Sequence, residues 1–182
     1  MASKANGSDG GGVPWRLVAW ASPVGLLTIP LINRWPWTLS DFVFAGAMFG
    51  VVGGLFELTV RASGNWPYRG GVAVALATSF LLVWINGAVG MIGDEGNPAN
   101  LMFFVVILMA IAGGIAARFQ AAGMARAMIV AGAAQMLIAV VVLLWRIGAT
   151  EPPGFPAVVF LIVVFGLPWF VSAWLFRKAA RA

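Results

Sequence analysis

Six apolar runs, each close to twenty residues long, follow one another along this chain with short polar joints between them. They cover about 13–32, 41–60, 71–92, 99–117, 124–146 and 155–176. A helix of about 20 apolar residues crosses a hydrocarbon core of ~30 Å, so each run has the length of one span. The runs are continuously apolar, without period-two alternation, which predicts helices and not the strands of a barrel. Turn residues mark the joints: Asn33 to Pro36, Ser63 to Pro67, Gly93 to Pro98, Gln120 to Gly123 and Pro152 to Gly154. None of these is long enough for a domain linker. The expectation is an all-α polytopic membrane protein, with six transmembrane helices in a single domain over 13–177.

The flanks are short. Residues 1–12 are polar and Gly-rich and read as a disordered tail, and 178–182 form a basic C-terminal end. The first run has the length of a signal peptide, but Pro23 interrupts it. Pro30 and Trp35-Pro36-Trp37 follow where a small-residue cleavage site would stand, so it is read as a retained helix. The chain is 62% hydrophobic and 9% charged, where soluble domains carry about 25% charged residues.

Charge orients the helices. Lys4, Arg16, Arg61, Arg69, Arg118, Arg126, Arg177, Lys178 and Arg181 all fall on one side of a six-pass pattern. The other side has Arg34 and Arg146, with Asp41, Asp94, Glu95 and Glu151. The excess of Lys and Arg in cytoplasmic loops places both termini in the cytoplasm. The net charge of +5 divides into about +7 inside and about −2 outside on that reading. The basic residues are scattered one or two per loop, which gives no footprint for nucleic acid.

Three spans carry polar residues at membrane depth. In the second, Gly46, Gly50, Gly53, Glu57 and Arg61 recur at steps of four and three and share one face. The glycines admit a second backbone, as in small-xxx-small packing. Glu57 is either an ion- or proton-binding carboxylate or one half of an i,i+4 pair with Arg61; its depth, one turn inside the boundary, favours the pair. In the third span Gly71, Ala75, Ser79, Asn86, Gly90 and Gly93 line an arc, with Asn86 about 10 Å below the outer surface at 1.5 Å per residue. In the fifth, Gly123, Ala127, Ala131, Gln135 and Ala139 do the same, with Gln135 near the midplane. Each amide alone is best read as a hydrogen bond across a helix interface, worth ~0.6 kcal/mol on average. Together, Glu57, Asn86 and Gln135 would thread the bundle if their stripes converged.

The outer loop from Gly93 to Asn100 holds the densest run of oxygen ligands. Asp94, Glu95 and Asn97, with Asn100, are weak candidates for a hard cation such as Ca²⁺. A simpler account has Asn97 capping the fourth helix and Pro98 taking its first position. There is no Cys and no His, which removes thiolate metal sites, Cys nucleophiles and the usual general base. Ser22, Ser79 and Ser172 have no base to activate them. No catalytic residue is assigned and no cofactor is named.

The stretch from Trp84 to Asn100, with Arg118-Phe119 and Gly123 to Ala127 beyond it, resembles a group of small, uncharacterised bacterial inner-membrane proteins. The likeness centres on residues 84–127. It implies a bacterial inner membrane and carries over no functional residue. The leading expectation is therefore a non-enzymatic bundle that acts by helix packing, as a homo-oligomer or an accessory subunit of a membrane complex. The alternative is a small transporter or channel for an ion, proton or small solute, using Glu57, Asn86 and Gln135. Three helices in each half would permit an inverted repeat, and Pro23 and Pro168 could break the first and sixth helices.

Overall fold

In the computed structural model residues 15–149 and 153–182 are described, so the expected disordered tail of 1–12 lies outside them. The chain divides into two compact units, residues 1–53 and 54–182. All regular structure among the described residues is helical: α1 (Trp15–Ile32), α2 (Leu39–Ala62), α3 (Trp66–Ala88), α4 (Leu101–Ala116), α5 (Ala121–Trp145) and α6 (Phe155–Ala179). A single 3₁₀ turn, Pro98–Asn100, leads into α4. Five helical segments, those of α2, α3, α4 with its leading turn, α5 and α6, are long and apolar enough to cross a membrane. In α1 the apolar stretch is shorter, Trp20–Ile32. Helix α1 runs through Pro23, and α6 through Pro168, without a break. Prolines are tolerated in membrane helices because neighbouring groups re-satisfy the freed carbonyl.

The first unit holds α1 and the start of α2. Asp41 receives hydrogen bonds from the Thr38 N–H at 2.6 Å and the Thr38 hydroxyl at 2.8 Å. A first-turn carboxylate that reaches back in this way satisfies a donor which the helix itself leaves open. Trp20 lies over Gly53, where an added Cβ would stand 3.2 Å from the indole ring.

In the second unit, helix ends differ from the sequence reading for identifiable reasons. The third helix starts at Trp66, five residues before the expected 71, because Asn65 caps it. The Asn65 Oδ1 accepts from the Tyr68 N–H at 3.1 Å, and Pro67 sits in the first turn where no N–H is required. It stops at Ala88, short of the expected 92. The N–H groups of Val89 and Gly90 both return to the Ile85 carbonyl, and Gly90 has φ +74. Gly90 is thus a left-handed helix terminator, a correction to its expected place in a packing face. An added Cβ there would stand 2.9 Å from the Asn100 side chain, and closer still to the Asp94 backbone.

Helix α6 packs against α3 on one side and α5 on the other, and α5 packs in turn against α4. Missing side chains make these approaches close. An added Cβ on Gly132 of α5 would meet the Phe170 ring of α6 at 2.8 Å, and one on Gly113 of α4 would meet Ala127 of α5 at 2.7 Å. The loop ends sort by charge. The Tyr68 hydroxyl donates to the Phe119 carbonyl at 2.7 Å, and the Asn65 amide donates to the Ala179 carbonyl at 3.2 Å. These contacts bring the start of α3, the α4–α5 loop and the end of α6 to one end of the unit, with Arg69, Arg118, Arg126, Arg177, Lys178 and Arg181. At the opposite end Ile92, in the loop that carries Asp94 and Glu95, lies against Gly148 of the α5–α6 loop, where Arg146 stacks over Phe155 at 5.2 Å.

The core is mostly apolar, with a few polar side chains set in it, and the outer faces are apolar as well. The interior contains Thr78, Asn86, Asn100, Gln135 and Ser172, each at most 3% exposed. The outer faces show Leu108, Ile111 and Ile115 on α4, Leu137, Leu143 and Leu144 on α5, and Phe160, Leu167 and Trp174 on α6, all more than half exposed. Contiguous apolar surface of this kind is avoided in water and favoured in lipid.

Candidate functional site

The three polar residues singled out at membrane depth have different surroundings. Gln135, on the fifth helix's small-residue stripe, is fully buried, and Ala127, Ala131 and Ala139 beside it are buried too. Its Nε2 donates to the Ile162 carbonyl at 3.3 Å, and its Oε1 accepts from Trp169 Nε1 at 3.0 Å. Both ends of the amide are engaged by α6, so Gln135 ties two helices together. Trp169 follows Pro168 in an apolar run, and nothing in that pattern announces the partner of its indole N–H.

Asn86 is 2% exposed on the inner face of α3. Its Nδ2 donates to the Leu82 carbonyl one turn back at 2.7 Å, and its Oδ1 has no partner. The buried positions of α3 are Gly71, Thr78, Leu82 and Asn86. Ser79 lies at the edge of that face, half-buried, with its hydroxyl turned back to the Ala75 carbonyl at 2.9 Å. The polar link from α3 to α6 comes instead from Ser172, whose hydroxyl donates to the Gly71 carbonyl at 2.8 Å.

Glu57 accepts a hydrogen bond from Arg61 Nε at 2.9 Å, the i,i+4 pair expected from spacing. The Glu57 side chain is 13% exposed and that of Arg61 68%. The carboxylate is covered while the guanidinium reaches outward, as a snorkelling pair near an interface does. No hydrogen bond joins Glu57, Asn86 and Gln135: each amide bonds to a helix carbonyl or to Trp169. On the glycine face of α2, an added Cβ at Gly46 or Gly50 would meet nothing within 4 Å among the described residues. Only Gly53 of that set lies under a neighbour, Trp20.

The outer loop is organised by Asn100, considered from sequence only as an oxygen ligand. It is 3% exposed and makes four hydrogen bonds. Its Oδ1 accepts from the N–H groups of Met91 and Ile92 at 3.1 and 2.9 Å. Its Nδ2 donates to the carbonyls of Ile92 and Asp94 at 3.2 and 2.7 Å. Asn97 caps the 3₁₀ turn through a 2.9 Å bond from the Ala99 N–H, with Pro98 following as expected. Asp94 Oδ1 accepts from the Gly96 N–H at 3.0 Å, and Glu95 is exposed. Among the described residues no three Asp, Glu, His or Cys side chains gather as a metal site. The oxygens of Asp94, Asn97 and Asn100 serve the loop's own backbone.

Comparison with protein-family models, with curated proteins and with solved structures gave no match.

Proposed function

We propose that this chain is a multi-pass integral membrane protein that acts by helix packing, as a homo-oligomer or as an accessory subunit of a membrane complex, without catalysing a reaction. Its partners on this reading are the lipid bilayer and another membrane-embedded chain. The observation that carries the reading is the uncovered glycine face of α2. Gly46 and Gly50 are small residues of the kind that lets helices approach closely, and no described residue occupies the space above them. The interior polar groups support the same reading, because Gln135, Ser172 and Asn100 are committed to holding the chain together. The positive-inside rule puts the basic end, and with it both termini, in the cytoplasm. The resemblance over residues 84–127 favours a bacterial inner membrane.

Gly50→Leu tests the proposal. A Cβ added at Gly50 meets nothing within 4 Å among the described residues, and Leu is a better helix former than Gly, so the monomer should remain folded. The parent is expected to migrate as an oligomer or complex in mild detergent, and the variant as the single chain. A parent that is monomeric in the bilayer, or an assembly unchanged by the substitution, contradicts the reading.

The second reading is a small transporter or channel through Glu57, Asn86 and Gln135. The unpartnered Asn86 Oδ1 is what speaks for it, since a buried carbonyl without a donor invites a water or a solute. In liposomes this reading expects pH-dependent flux that Glu57→Gln abolishes. Flux absent from the parent removes it.

A further inference from the structure

A shallow groove of about 390 Å³ runs along the outer surface between α4 and α5. Its walls include Gly113, Ala116, Ala117, Gly123, Arg126 and Val130. The groove exists because the two helices meet through small residues, Gly113 against Ala127 and Ala117 against Gly123. Larger side chains at these positions would fill the space. Apart from Arg126 the lining is apolar, as suits a stretch of hydrocarbon chain.

Arg126 gives the groove a chemical polarity. It is exposed and makes no hydrogen bond or ion pair among the described residues. It stands five residues into α5, about 7 Å from the helix start at 1.5 Å per residue. A guanidinium on a long apolar stem at that depth reaches the headgroup layer. Arg118, the residue after Ala117, is a second exposed cation at the same end, also without a polar side-chain partner among the described residues. Arginine presents a planar fork of donors matched to phosphate oxygens.

We infer that this groove binds an anionic phospholipid, with one acyl chain lying between α4 and α5 and the phosphate held by Arg126. The inference rests on the membrane-spanning reading but not on self-association. A chain recovered without detergent from the soluble fraction would remove the membrane-spanning reading and the inference with it, whereas a membrane-inserted chain that does not prefer the anionic lipid would remove the inference alone.

The test uses the full chain in mild detergent, titrated with dioleoylphosphatidylglycerol or dioleoylphosphatidylcholine, with bound lipid counted by native mass spectrometry. The parent should retain the anionic lipid in preference to the zwitterionic one. Arg126→Gln should weaken phosphatidylglycerol retention roughly fivefold, the weight of one basic residue at an anionic surface, and weaken phosphatidylcholine retention less, because choline offsets the charge of its phosphate. Arg126→Lys should keep most of the preference. Ala116→Phe, at an exposed position on the groove wall, should reduce retention of both lipids. Equal retention of the two lipids by the parent would overturn the proposal, as would an Arg126→Gln variant that binds like the parent. So would a dimer, in place of bound lipid, that Ala116→Phe dissolves.

Discussion

Three amides show how one functional group takes different roles according to the donors and acceptors around it. Asn100 satisfies two amide N–H groups and two carbonyls of a tight loop. Removing its side chain strands several buried polar groups, each with a desolvation penalty of about 1–3 kcal/mol. Asn100→Ala is therefore expected to destabilise the second unit by about 2–4 kcal/mol, measurable by unfolding in a denaturing detergent. Asn86 is the converse case, since its Oδ1 has no partner to lose. Asn86→Leu should leave stability within about 1 kcal/mol of the parent. A larger loss in the same titration would reveal a bound water or solute on that carbonyl, and would revive the transport reading. Gln135 lies between the two. Gln135→Leu leaves the Trp169 N–H unpaired and should cost about 1–2 kcal/mol, near the upper end for hydrogen bonds between membrane helices.

At the scale of elements, the positions of the six helices were legible because each is a continuous apolar run of about twenty residues between polar joints. Helix ends were less so. The polar joint at Trp66-Pro67 is already helical because a cap at Asn65 starts α3 early, and Gly90 ends a helix that its apolar pattern would have continued. The stripe through Gln135 was readable from its four-residue spacing. Its partners on α6 were not, because periodicity shows which residues share a face and is silent on which helix that face meets. The same distinction separates the glycines. Gly132 lies under the Phe170 ring, whereas no described residue stands within 4 Å of a Cβ added at Gly46 or Gly50. Gly132→Leu should therefore destabilise the α5–α6 contact by about 1–3 kcal/mol. Gly50→Leu should change monomer stability by less than about 0.5 kcal/mol, while dispersing any assembly built on that face. Thermal unfolding of the two variants side by side checks the contrast.

At the scale of the whole molecule, the charge pattern and the packing of the second unit give the same answer by independent routes. Counting Lys and Arg along the sequence assigns loops to sides. The bonds from Tyr68 to Phe119 and from Asn65 to Ala179 bring the basic loops of 54–182 together without reference to charge. The second unit is apolar on its outer faces as well as in its core, which belongs to a chain whose surroundings are apolar. In the proposed topology the chain spans the bilayer with its basic end and both termini in the cytoplasm and the Asp94–Glu95 loop outside. The chain has no native cysteine, so single cysteines can be placed at will: Ser3→Cys, Gly96→Cys and Ala182→Cys, probed in intact cells with a membrane-impermeant maleimide. That topology predicts labelling at position 96 in intact cells, and at positions 3 and 182 only after permeabilisation. Labelling of 3 or 182 in intact cells, or protection of 96 until the membrane is opened, would contradict it.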